Sequence, residues 1–306
     1  MKVYGSDRAH GGISLLHALG CGSGCSTPID LWAHVSLVED DSTVEGDDHN
    51  LLGLLLEGWR ERDLPIPAGE IAWLVKSDIP KGVGLKSSSA LLMAAINALS
   101  GATDVVLSHT DTFNLVSAVQ TKAGCSITGG RDDIAVANFE DTWLVDANTG
   151  GIELLQQLDF PEKEVIIILR DKKKGEIDIQ AFENLRSRFE QIVLELRNGS
   201  PIKAFRMNGQ AVAEALKDQE ALQICEDVEV NSGCPAAISG SGPAIAVLCE
   251  PKEAEYVKEY LKSKGLGFIH TRTYHGVELH WEREEWVWDL ATLFVSLSSE
   301  KVTVGV

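Results

Sequence analysis

Three stretches of this chain gather residues whose types and spacing could do chemistry. The first is Pro80–Ala95, P-K-G-V-G-L-K-S-S-S-A-L-L-M-A-A. A glycine-serine loop delivered onto a helix start presents unpaired backbone N–H groups and the positive end of a helix dipole, which together make an anion site. Gly82 and Gly84 would let the backbone approach a phosphate, Ser87–Ser89 would add hydroxyls, and Lys86 would add a positive point charge. The same residues also suit a plain helix start with a serine cap. The second stretch is Ala123–Phe139, where the tight turn Thr128-Gly129-Gly130 is followed by Arg131, Asp132 and Asp133. By residue type alone it reads either as a hairpin turn capped by carboxylates or as a pair of functional carboxylates. The third is Ser239-Gly240-Ser241-Gly242-Pro243-Ala244, a glycine loop that suits close backbone approach as well as an ordinary small-residue turn. The chain contains no G-x-x-x-x-G-K-[ST] run, and Gly20–Gly24 (G-C-G-S-G) is not a G-x-G-x-x-G fingerprint.

The elements that must position these stretches follow from pattern. Ile71–Ser77 reads as a strand leading into the first loop, and a helix follows from Ser87 to about Gly101. The glycine-rich opening reads as a loop, with Ile13–Gly20 too short to assign. Leu31–Val38 alternates as a strand. Glu39–Asp48 reads as an acidic, solvated loop. Helices are predicted over Asn50–Arg62 and Thr110–Lys122, and an alternating strand around Ile134 and Val136 after the Asp pair. A boundary falls near 150–162. Beyond it the pattern predicts a strand over Glu164–Arg170 and a charged loop, Asp171–Gly175. Helices over Gln180–Leu196, Ile202–Leu216 and Asp218–Cys225 come next. A strand over Ile245–Cys249, a helix over Lys252–Lys264 and strands over Gly267–Thr271 and Val277–Trp281 follow. Glu284–Ser299 is amphipathic, which predicts packing on the core or on another subunit and so admits a homo-oligomer.

Composition bounds the function classes. The 306 residues allow a substantial core in one large or two medium domains. Net charge is -19, and the isoelectric point is near 4.8. This acidity argues against general nucleic-acid or anionic-membrane binding. An acidic protein that handles a nucleotide needs local positive groups or a divalent metal. The six cysteines are scattered without a C-x-x-C pair, as expected of reduced thiols. No basic-apolar leader and no apolar run of about 18 residues is present, so the expectation is a soluble, cytoplasmic protein.

At the first stretch the sequence resembles the GHMP kinases, the superfamily of galactokinase and of homoserine, mevalonate and phosphomevalonate kinases. Pro80, Gly84, Leu85, Ser87, Ser88 and Ala90 fill the second motif of that family, and G-L-K-S-S-S-A is the form found in archaeal-type shikimate kinases. The N-terminal glycine-rich turn followed by Pro28-Ile29-Asp30-Leu31 is similar to theirs. Thr128–Ala135 resembles the family's T/S-G-x-D-[DN]-x-A segment, and Ser239–Ala244 resembles its third motif. The resemblance implies an α+β, two-domain GHMP kinase fold. Residues 1–155 would form an N-terminal, ribosomal-protein-S5-like ATP-binding domain. Residues 156–283 would form a C-terminal ferredoxin-like domain, and 284–306 a tail. It implies phosphorylation of shikimate by ATP with Mg²⁺. ATP binding would fall to Pro80, Lys81, Gly82, Val83, Gly84, Leu85, Lys86, Ser87, Ser88, Ser89 and Ala90, with Ser88 as the magnesium ligand. Asp132 would be the catalytic base, with Asp133 beside it and one residue of slippage enough to exchange them. Thr128, Arg131, Gly240 and Ser241 would meet the substrate. One departure stands out: no lysine lies between Lys2 and Lys76, where mevalonate-kinase-like members carry one in their first motif. Lys86, an arginine or the metal must then supply that charge. Another acceptor such as homoserine or mevalonate, or a silent ligand-binding protein of the same fold, is the alternative.

Overall fold

The structure is a computed structural model that describes residues 2–40, 47, 49–147, 153–173 and 175–275. It opens with a hairpin of two unusually long strands, β1 (Val3–Leu16) and β2 (Ser23–Glu39), joined by a single 3-10 turn at Ala18–Gly20. Here the expected glycine-rich loop is corrected. Ser23 and Gly24 already pair with Asp146 and Val145, so the segment is mostly sheet. On its other side β2 is shared between two shorter strands. Ser23–Ser26 pairs with β4 (Thr142–Asp146), and Ala33–Glu39 pairs with β3 (Ile71–Ser77). The fifth strand, β5 (Glu153–Leu158), pairs antiparallel with β4.

Helices cover this sheet: α1 (Leu51–Arg60), α2 (Ser87–Thr103), α3 (His109–Lys122) and α4 (Arg131–Phe139). The small, apolar α2 buries Ala90, Leu92, Met93, Ala94, Ala95, Ile96, Ala98 and Leu99 against β1 and β2. Between Ser89 and Leu99 all but Leu91 and Asn97 are buried, which suits a helix covered over most of its circumference there. The strand expected around Ile134 and Val136 is helix α4 instead. Gly130 turns the chain at φ 62°, and Asp132 and Asp133 lie in the first turn, where carboxylates complement the helix dipole. Ile134, Ala135, Val136 and Ala137 are all buried, so a two-residue alternation could be read into a segment that is apolar on every face.

The second sheet runs β7 (Ala236–Ile238), β8 (Ile245–Cys249), β6 (Glu164–Leu169), β9 (Gly267–Arg272), all antiparallel. In chain order that is 2-3-1-4, the ferredoxin-like arrangement. Its second strand is the short β7, which the sequence reading did not find. The strand expected over 277–281 and the tail lie outside the described residues. Five helices accompany the sheet: α5 (Ile179–Asn184), α6 (Arg186–Arg197), α7 (Pro201–Ala215), α8 (Gln219–Ser232) and α9 (Pro251–Ser263). The single helix expected over 180–196 is broken at Leu185, and the third one runs on to Ser232.

The two sheets meet along β2 and the end of β9. Ile29 bridges Thr273, Tyr274 N–H donates to Pro28 O, and Thr271 Oγ1 donates to Asp30 O at 3.0 Å. His10, Trp32 and Tyr274 form an aromatic set there, with ring centroids 5.0–5.2 Å apart. No helix among the described residues is long and apolar enough to cross a membrane.

Candidate functional site

The first glycine loop reaches its shape through the second. Gly84 sits at φ +92°, and a Cβ there would meet Ser239 O at 2.1 Å. Only glycine fits both demands. The loops are then stitched together: Ser239 Oγ donates to Gly84 O (2.9 Å) and Ala244 N to Val83 O (3.1 Å). β1 completes the knot, because Gly12 N donates to Leu85 O (3.2 Å) and Ser14 N to Ser239 Oγ (3.3 Å). Lys86 closes the loop at φ 66° and caps α2.

Lys86 is buried. Its Nζ lies 2.6 Å from Asp133 Oδ1 and donates to Ser14 Oγ at 2.6 Å, while Gly240 N donates to the same hydroxyl at 3.1 Å. Burial disfavours the ammonium, but Asp133 and then Asp132 more than offset it, and the pKa is held above the ordinary lysine value. A lysine from the glycine loop thus brings a positive charge next to β1, in a chain that has no lysine between Lys2 and Lys76.

Asp132 stands in the first turn of α4 and is buried against β2. A Cβ on Gly24 would lie 2.5 Å from the Asp132 Cγ, so glycine at 24 makes room for this carboxylate. Ser26 Oγ donates to Asp132 Oδ2 at 3.1 Å. Burial and then Asp133 push the Asp132 carboxyl up, against the pull of Lys86 and Ser26, to about 7. A carboxyl poised near neutrality can both take and return a proton.

These groups line one cavity of about 920 Å³. Of the residues expected to bind ATP, it brings together Lys81, Gly82, Gly84, Lys86, Ser87 and Ser88. Thr128, Asp132, Asp133, Gly240 and Ser241 face the same space. Pro80, Val83, Leu85, Ser89, Ala90 and Arg131 do not line it. Leu85 and Ala90 are core, Val83 holds Ala244, and Ser89 accepts from Gln120 Nε2 at 2.6 Å. Arg131 is buried. From the 171–175 loop, Lys172 pairs with Asp218 at 2.9 Å and Gly175 lines the cavity.

The sequence reading missed Ser14, His17, Gly24 and Ser26. Ser14 and Ser26 are direct partners across β1 and β2, two buried serines set among the buried apolar residues Ile13, Leu15 and Cys25. That polar interruption was the available signal, and it could not be read before the strands were recognised. His17 Nε2 lies 2.9 Å from Ser241 Oγ, a contact between residues 224 apart that no local pattern announces.

Known proteins resemble this chain in sequence and in fold. Residues 53–141 match the family model described as GHMP kinases N terminal domain. The chain is 28% identical over 261 residues to the shikimate kinase of Thermococcus kodakarensis, covering 80% of this chain and 92% of that protein. It is 26% identical over 272 residues to the shikimate kinase of Pyrococcus furiosus, covering 83% and 95%. A crystal structure of mevalonate kinase superposes with a TM-score of 0.70 at 15% identity, over 89% of this chain and 99% of that one.

Proposed function

We propose, from the premise that this chain belongs to the GHMP kinases, that it transfers the terminal phosphoryl group of ATP to a hydroxyl of shikimate. The observation that carries the reading is one cavity in which the Lys86–Ser88 loop faces the Asp132–Asp133 pair. It occurs in a chain whose relatives, over most of its length, are shikimate kinases.

Phosphoryl transfer asks for positioning and for stabilisation of charge more than for covalent help. The backbone of Gly82, Gly84 and Lys86–Ser88 and the hydroxyls of Ser87 and Ser88 hold phosphate oxygens at the start of α2. Lys86, kept charged by its carboxylate neighbours, places a cation beside them. Asp132 accepts the proton as the acceptor oxygen forms its bond to phosphorus and the bond to the ADP oxygen breaks. Ser26 holds one oxygen of that carboxylate so that it points consistently.

The donors also fit a magnesium ion. Mg²⁺ takes one or two carboxylates with phosphate oxygens rather than an all-protein cage. The cavity offers Asp132, Asp133 and the Ser88 hydroxyl, while no cluster of three or more His, Cys, Asp or Glu stands among the described residues. When bound, the ion neutralises charge on the phosphates.

The test is ADP release from ATP and Mg²⁺ with shikimate, homoserine or mevalonate as acceptor. Release with shikimate alone is expected. Release with another acceptor would keep the kinase and overturn the substrate. Nucleotide binding without release would leave a ligand-binding protein.

A further inference from the structure

Resting on the reading above, we infer that His17 and Ser241 form the subsite that receives the carboxylate of the acceptor. An anionic acceptor has few permanent cations to meet in this cavity. Among the described lining residues there is no arginine, and the lysines are Lys81, which is exposed, and Lys86, which is committed to Asp133 and Ser14. Oriented neutral donors can serve an anionic oxygen there, and the structure builds one.

His17 caps the 3-10 turn that links β1 to β2: Leu19 N–H donates to its Nδ1 at 3.3 Å. An Nδ1 that accepts carries no proton, so in the neutral ring the proton is on Nε2. Nε2–H then donates to Ser241 Oγ at 2.9 Å. Ser241 accepts through its oxygen, and its own O–H is left to donate into the cavity that both residues line. The direction of the chain is thus fixed, from Leu19 N–H through the imidazole to Ser241 and outward. Each donated bond polarises the next, which suits an anionic oxygen at the end.

The imidazole is also held in place. Its backbone N–H donates to Asn208 Oδ1 of α7 at 2.9 Å, and its ring packs on Phe182 of α5 at 4.8 Å between centroids. The pair therefore joins the end of β1 to the second glycine loop, with Gly240 and Ser241 on the same wall as Ser14.

The test compares equilibrium binding of shikimate, its methyl ester and ATP to the full chain and to Ser241→Ala, His17→Phe and His17→Gln. A hydrogen bond to a charged group is worth a factor of about 10 to 100 in affinity. Ser241→Ala and His17→Phe are expected to weaken shikimate by that factor while binding ATP as before. His17→Gln, whose amide can accept from Leu19 and donate to Ser241, should recover most of the loss. The unmodified protein should prefer shikimate to its ester, and Ser241→Ala should lose that preference. The ligand comparison in the unmodified protein needs no variant to fold. Equal loss for ATP and shikimate in the variants would make the pair a support for the glycine loop and overturn the inference. So would a shikimate affinity that the variants leave unchanged. Failure of the unmodified protein to bind shikimate at all would overturn both this inference and the proposed acceptor.

Discussion

Replacing Asp132 with Asn should damage catalysis and improve the fold at once. In the folded protein the Asp132 carboxyl sits at about 7, against 3.8 for the free side chain, chiefly because it is buried and then because Asp133 is beside it. Ionising it inside the fold therefore costs about 4 kcal/mol relative to the unfolded chain. For a carboxyl raised in this way, the associated stability is complete below pH 3.8 and is lost as pH rises through 7. Asn keeps the shape and can still accept from Ser26, but it never ionises. Asp132→Asn should thus be more stable than the unmodified protein at pH 8, by up to about 4 kcal/mol, with the difference vanishing near pH 4. Turnover should fall by about 10²- to 10⁴-fold, the worth of a positioned base. The unmodified enzyme should gain activity with pH up to a plateau above about 7, and the variant should lose that limb. Urea unfolding at pH 4 and 8 reads the first effect, and ADP release across pH reads the second. A variant that unfolds more easily than the parent at pH 8, or that keeps turnover within tenfold, would refute the reasoning. Asp133→Asn run in parallel decides which neighbour is the base.

Gly84→Ala would force a Cβ to within 2.1 Å of Ser239 O at a φ of +92°. It should weaken ATP binding by at least about tenfold and cost more than about 1 kcal/mol of stability, read by calorimetric titration and urea midpoints. His10 is fully buried in the aromatic set with Trp32 and Tyr274, and burial lowers its pKa to about 4. Its neutral form favours the fold above pH 6.5, and that contribution, about 3 kcal/mol, is lost as pH falls towards 4. His10→Phe should flatten the fall in unfolding free energy between pH 7 and 4.5, and an equal fall in both proteins would count against the assignment.

The parts of this molecule that were legible in sequence are those whose signals are local. Pro80, Gly82 and Gly84 break the backbone between a polar-ended apolar run and a run of small apolar residues, and β3 and α2 lie where that punctuation puts them. The β6, β8 and α9 segments were similarly plain, since β-branched runs and an amphipathic period with Pro at the start each have one reading. The long N-terminal hairpin was obscured because glycines and serines, which strands disfavour, interrupt it at Gly11, Gly12, Ser14 and Gly24. Those interruptions are where the strands touch the site. The misreading of α4 has a different source: a helix buried on several faces gives no period, and the acidic first turn after Gly130 was the better cue. The ion pair of Lys86 with Asp133, and the contact of His17 with Ser241, are made by the fold from distant segments.

The knot between the two glycine loops also sets a timetable. Gly84 O and Ser239 Oγ are bonded across 155 residues of chain. A ribosome adding ~5–20 residues per second would need roughly 8–30 s to make the second loop after the first. During that interval the first loop has been synthesised without the Ser239 hydroxyl and the Ala244 N–H that bond to its carbonyls. A nascent chain released before Ser239 would carry every residue of the first glycine motif and lack both groups that bond to it. The nucleotide binding proposed above would therefore be acquired late in the protein's own synthesis, and would report on completion of the second half as much as on folding of the first.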